Sequence, residues 1–205
     1  MGRRADTMKK MLLRIAACLT AAAAAAAAQA PPGKAFGNQA APLRIEVFSD
    51  FQCPACKNLH EGALAQVHRD YVRAGKVYLI HREFPLPMHR YAREAAAYAT
   101  AAARLNRYEA VAAVLFRQQA SWSTSGNVEA VVASVVSPAE MQKLRALVRD
   151  PQTQMAIEQD IALGKQNALS QTPTMVITKG FRRYPVGGNQ NYAILKRFLD
   201  DLLSK

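Results

Sequence analysis

Cys53-Pro54-Ala55-Cys56 stands where a strand-like run gives way to a helix-like run, and that placement limits the folds open to the chain. Upstream, Leu43, Ile45 and Val47 alternate with Arg44 and Glu46, the two-residue period of a strand. Downstream, Leu59, Ala63, Leu64, Val67 and Tyr71 follow helical spacing until Gly75 stops it. Pro54 suits the first turn of that helix, where its missing N–H is not needed. Two thiols at this spacing and junction can close a small redox-active disulfide. Two other readings compete. Half a zinc site, with His60 as third ligand, lacks the second C-x-x-C that a four-ligand structural site would use. A plain structural bridge closing so small a loop would contribute little entropy.

The third cysteine, Cys18, falls in a segment that reads as a signal peptide, residues 1–28. Arg3, Arg4, Lys9, Lys10 and Arg14 precede an alanine-rich apolar stretch, and Ala26-Ala27-Ala28 offers small residues before a cut at Gln29. The stretch is too short and too weakly hydrophobic for a membrane span of about 20 residues. Ile15-Ala16-Ala17-Cys18 only faintly resembles a lipoprotein box, with Arg14 directly beside it. Cleavage leaves 177 residues, room for one domain with a real core. It also lowers the net charge from +12 to +8. The remaining basic residues are scattered with no accompanying motif, which argues for a solvated basic surface and against nucleic acid. Export to the periplasm or the extracellular space would place the pair where disulfides persist.

Residues 29–41 form a Pro/Gly/Ala-rich lead-in for which little order is expected. Val77 to Phe84 reads as a second strand, ended by Pro85 and Pro87. From 89 to 170 the pattern is helical throughout. Tyr91, Ala95, Tyr98, Ala102 and Leu105 make one face, and Val111, Val114 and Leu115 another. A short helix is expected over 127–136, Ser137-Pro138-Ala139-Glu140 is a capping box, and Asp150-Pro151 is a further start signal. Strands return at 174–178 and 181–186, joined by a turn at Lys179-Gly180. A last amphipathic helix carries Ile194, Leu195, Phe198, Leu199 and Leu202. The fold class is therefore α/β. Residues 42–88 and 171–205 form one β-α-β and β-β-α unit, with 89–170 inserted as a helical subdomain.

This arrangement resembles the DsbA-like branch of the thioredoxin superfamily. The likeness rests on Phe48-Ser49-Asp50-Phe51-Gln52-Cys53-Pro54-Ala55-Cys56, on Arg82-Glu83-Phe84-Pro85-Leu86-Pro87, and on Thr172-Pro173-Thr174. The resemblance implies a thioredoxin fold with a helical insertion, and Pro54 and Ala55 as the residues between the redox cysteines. It also implies a cis Pro173 beside Cys53, with Thr172 offering backbone hydrogen bonds to a bound substrate chain. Two departures stand out. Members often carry a buried acid about where Val47 stands, and neighbouring Glu46 should point to the opposite face. The best-known oxidases place histidine between the cysteines, where this chain has Pro54-Ala55.

Chemistry assigns the two thiols different roles. Only a thiolate attacks or leaves efficiently, and an ordinary cysteine, with a pKa near about 8.5, is mostly protonated at neutral pH. Cys53 at the helix mouth meets unpaired N–H groups that favour its anion, whereas Cys56 lies a turn further in. Cys53 is thus the sulfur expected to form a mixed disulfide, and Cys56 its partner. The function expected is an exported, monomeric oxidoreductase that introduces disulfides into reduced or unfolded polypeptides. A membrane redox partner would reset it, and no cofactor, metal or nucleic acid is expected. A reductase or isomerase fed by a membrane electron donor, or a non-catalytic thioredoxin-fold chaperone, are the alternatives. His81 and His89 read as strand-end or surface residues, Trp122 as core or groove lining, and Asp50 and Phe51 as shaping the rim around Cys53.

Overall fold

A central strand, β2 (Leu43–Ser49), organises the molecule. The computed structural model describes residues 33–205; the signal peptide expected over 1–28, Cys18 and the first four residues of the lead-in lie outside them. β3 (Val77–Glu83) pairs parallel with β2, so a crossover must join them, and a long helix, α1 (54–72), supplies it. β4 (Thr174–Lys179) runs antiparallel to β2 on the other side, and β5 (Arg182–Gly187) antiparallel to β4. The strand β1 (Ala35–Phe36) covers the free edge of β3, giving the order β1-β3-β2-β4-β5. Residues 33–41 of the lead-in are thus more ordered than their composition suggests. Phe36 packs its ring against His68 and His81, and the Lys34 side chain is fully buried.

One sheet face packs Leu43, Ile45, Val47 and Leu79 against α1 and the C-terminal helix α8 (Tyr192–Ser204). α1 runs from Pro54–Leu59 through a π-helical turn at His60–Leu64, a short α-helical stretch Ala65–Val67 and a second π turn at His68–Val72. The apolar stripe read from Leu59 to Tyr71 is buried as expected, but the two π turns were not legible in its spacing. The opposite sheet face carries Phe48, Phe84 and Val176.

The helical block between β3 and β4 comprises α2 (Ala92–Ala103), α3 (Tyr108–Arg117), α4 (Gln119–Ser125), α5 (Val128–Ala133), α6 (Pro138–Val148) and α7 (Pro151–Gln166). α2 buries ten of its twelve residues, most of them alanine, which lets α3, α5, α6 and α7 approach it closely. The Ser137/Glu140 capping box forms as the sequence predicts, and Asp150 caps α7 through the Gln152 N–H. Trp122 is fully buried, its indole N–H donating to the Leu115 carbonyl at 2.7 Å. α7 reaches the sheet because Gly164 has no side chain; a Cβ there would collide with the Phe84 ring.

Buried charges join the block to the sheet. Asp160 on α7 accepts from Lys34 Nζ at 2.5 Å and from Arg82 Nη1 at 3.0 Å. Arg82 also donates to Glu46 Oε1 from Nε and Nη2, at 2.9 and 2.7 Å. Glu46 therefore binds Arg82 and Arg44, and not the cysteine pair. Removing one partner from such a network leaves an uncompensated buried charge, a loss of about 3–5 kcal/mol. Among the described residues, no helix is long and apolar enough to cross a membrane.

Candidate active site

Strand register assembles the site. Thr174, the first residue of β4, pairs with Phe48 near the C-terminal end of β2, so the segment before β4 arrives where the chain leaves β2 for α1. The Thr172–Pro173 peptide is cis, as the resemblance implied. Cys53 is the N-cap of α1 and its sulfur lies 3.4 Å from the Thr172 carbonyl oxygen. Pro54 opens the first turn as anticipated, and Ala55 follows it. The motif and the T-P-T segment, 119 residues apart between Cys53 and Thr172, therefore form one site.

The two sulfurs differ in setting. Both are free thiols; Cys53 is 8% exposed and Cys56 only 1%. The Cys53 pKa is brought down to about 5 by the Cys56 thiol donating to it. Burial opposes that shift, and the Thr172 side chain and the backbone amides of Cys56 and Ala55 reinforce it. Burial pushes Cys56 strongly the other way, aided by the neighbouring Cys53, while the Asp50 amide and the Ser49 side chain partly counter it. The Asp50 N–H to Cys56 Sγ distance is 3.4 Å. A reactive anion outside and a protonated thiol inside is the division that disulfide exchange needs.

Asp50 and Phe51 do not form a rim. They are 1% and 2% exposed and lie beneath the motif. The Asp50 carboxylate accepts from Gln52 N–H at 2.7 Å and from Leu86 N–H at 2.7 Å, and lies 2.8 Å from His89 Nδ1. It thereby ties the β2–α1 junction to the Pro85–Pro87 loop. An aspartate bonding the amide two residues on is a familiar turn device, and that was the one signal in the sequence for this role. His89 is part-exposed and tied to Asp50, whereas His81 is buried within β3 and not at its end.

Two further residues escaped sequence reading. Gln119, on α4, donates to the Phe51 carbonyl at 2.6 Å and the Cys53 carbonyl at 3.1 Å. Glu83 pairs in register with Ser49, whose side chain bonds Cys56. It is 1% exposed, accepts from the Tyr108 hydroxyl at 3.1 Å and lies 3.6 Å from Lys34 Nζ. Burial raises its pKa to about 7, with Lys34 opposing the rise. Among the described residues, no group of three or more His, Cys, Asp or Glu is placed to hold a metal ion.

Comparisons with known proteins agree with this fold. Residues 29–201 match the family model described as Thioredoxin. A solved structure of BdbD from Bacillus subtilis superposes with a TM-score of 0.71 at 18% identity, covering 84% of this chain and 93% of that one. Alpha-DsbA1 from Wolbachia pipientis gives 0.69 at 18%, over 82% and 89%. A thioredoxin-like oxidoreductase from Silicibacter pomeroyi gives 0.70 at 23%, over 85% and 95%. Curated proteins of Bacillus cereus and Bacillus anthracis, each named a probable disulfide bond formation protein D, are 35% identical over 52 residues, 25% of this chain. That match spans 24% of the length of each curated relative.

Proposed function

Since the chain belongs to the thioredoxin family, with the fold of DsbA-type oxidoreductases, we propose that it is an exported thiol–disulfide oxidoreductase acting on client polypeptides. The observation that carries this reading is the Cys53 sulfur at the mouth of α1, 3.4 Å from the Thr172 carbonyl and set against a buried Cys56.

In the oxidising direction a client thiolate attacks Cys53 Sγ of the Cys53–Cys56 disulfide. A mixed disulfide forms and Cys56 leaves as a thiolate, held briefly by the Asp50 amide and the Ser49 hydroxyl. A second client thiolate then attacks the client's own sulfur in that bridge and expels Cys53. The client gains the disulfide, and its two electrons remain on the Cys53–Cys56 dithiol. Stabilising the Cys53 anion makes it a better leaving group and makes the disulfide more oxidising. Thr172 and Pro173 provide the strand-like surface against which the client's backbone lies. Export and a membrane redox partner complete the reading, with the signal-like residues 1–28 as support for the first.

Two measurements test it. Cys56→Ser should accumulate client polypeptides linked to Cys53 by a bond that dithiothreitol releases; a non-catalytic chaperone would accumulate none. Equilibration of the Cys53/Cys56 pair with glutathione gives the direction, a potential near about −120 mV marking an oxidase and one near about −270 mV a reductase. Because Ala55 replaces the histidine of the strongest oxidases, a value below the oxidising extreme is expected.

A further inference from the structure

Behind the redox motif, between α1, α3 and β3, lies a pocket of about 250 Å³ that the proposed chemistry does not use. Three histidines line it: His60 and His68 from α1 and His81 from β3. Apart from Glu109 its remaining walls are apolar or aromatic, including Leu64, Leu79 and Tyr108. The His60 and His81 ring centroids are 6.3 Å apart, Tyr108 lies 5.1 Å from His81, and Phe116 lies 4.7 Å from His60.

Three features set this pocket apart from a packing defect. First, His81 is 91% buried and His60 mostly so, yet neither ring has a hydrogen-bond partner among the described residues. Both rings line the pocket, so their nitrogens are free to hydrogen-bond an occupant. Second, both α1 histidines are the first residues of π turns. Eight residues apart in a regular α-helix they would diverge by about 80° around the axis. The intervening π turn absorbs about one residue and reduces that to about 20°, bringing both onto the pocket side. Third, the pocket carries little charge. Burial holds His60 down to about 4 and His81 to about 3, so both rings are neutral at physiological pH. Glu109 stands at the rim, 3.3 Å from His68 Nε2 and 61% exposed.

We propose that this pocket binds a small uncharged aromatic alcohol of the phenol class, whose hydroxyl bridges the His60 and His81 imidazoles while its ring rests on Tyr108 and the leucines. A neutral imidazole offers one donor and one acceptor, so a hydroxyl can accept from one ring and donate to the other. A free carboxylate would meet no fixed positive charge among the lining residues, and an ammonium no acceptor at depth besides neutral nitrogens. The volume lies just below the ~300 Å³ lower bound of common ligand sites, which limits the occupant to one or two rings.

The proposal does not depend on the redox activity and is tested separately from it. Titration of the protein with para-fluorophenol, followed by fluorine NMR, should give a saturable shift. Replacing the bridging imidazole in His60→Phe, or filling the pocket in Ala113→Leu, should weaken binding by about tenfold or more. Folding of each variant is checked by its circular dichroism, and His60→Gln, which keeps a donor and an acceptor, should retain most of the affinity. Fluorobenzene binding as tightly as para-fluorophenol would overturn the hydroxyl bridge. Equal affinity in all variants, no saturable shift, or stoichiometric uptake of zinc in place of the phenol would overturn the proposal as a whole.

Discussion

Gln119 holds Cys53 from the helical insertion: its Nε2 donates to the Cys53 carbonyl at 3.1 Å while also serving the Phe51 carbonyl at 2.6 Å. One amide from the helical insertion thus fixes the backbone on which the reactive sulfur is mounted. The Cys53 carbonyl has other donors, the N–H groups of Cys56 and Lys57. The Phe51 carbonyl depends more heavily on Gln119.

Gln119→Ala should therefore leave a buried acceptor without its donor, at a loss of about 1–3 kcal/mol. Gln119→Glu should do worse, because a carboxylate would face two carbonyl oxygens. Urea unfolding of the reduced protein measures both. An Ala variant as stable as the parent would show that the contact carries no energy.

Glu83 predicts a pH dependence of opposite sign to that of most carboxylates. Its pKa rises from 4.5 to about 7 on folding, so between these values the native state holds a proton that the unfolded state has lost. Its contribution is fully present below 4.5 and lost as pH rises through about 7, at up to about 1.4 kcal/mol per pH unit. Glu83→Gln, which cannot ionise, should remove that decline. Urea midpoints measured at matched pH for both proteins should diverge steadily between pH 5 and 7, the variant gaining relative to the parent. Parallel curves would place the Glu83 titration elsewhere.

How legible all this was depends on range. The alternation at Leu43–Val47, the Ser137/Glu140 box and the order of elements are local patterns, and they appear where the sequence puts them. β1 was hidden because a two-residue strand has no period to read. The π turns were hidden because one extra residue barely alters the spacing of an apolar stripe. In the site, Cys53, Cys56, Thr172 and Pro173 carry a motif, whereas Gln119 and Glu83 are ordinary residues given a role by tertiary contacts. The Lys34–Asp160 pair, 126 residues apart, is the extreme case: no local rule predicts which buried charge will meet which.

Gly164 offers a packing test of the insertion. A Cβ at this position would run into the Phe84 ring and come within 3.3 Å of Phe48. Although alanine is the better helix former by about 0.8–1.0 kcal/mol, overpacking of this kind costs about 1–3 kcal/mol, so the collision should win. Gly164→Ala should lower stability, and Gly164→Ala with Phe84→Leu should recover part of the loss. Thermal unfolding of the three proteins decides it, and a more stable single variant would mean that α7 does not lie this close to the sheet.

The last prediction concerns the reactive sulfur itself. The Cys53 pKa falls from 9.0 to about 5 in the folded dithiol, chiefly through the Cys56 thiol. Between these values the unfolded chain keeps a proton that the native state has released. Cys53 therefore adds stability to the reduced protein that is fully present above about 9 and lost as pH falls through about 5. The reduced parent should gain on Cys53→Ser as pH rises over that window. Alkylation of the reduced protein by iodoacetamide should show a rate that reaches half its plateau near pH 5, from Cys53 alone, because burial keeps Cys56 protonated. Cys56→Ala removes the largest contribution and should move the midpoint upward, leaving only the Thr172 side chain and the Ala55 and residue-56 amides to hold the anion. An unchanged midpoint would mean that the helix mouth alone, and not the partner thiol, sets the charge on Cys53.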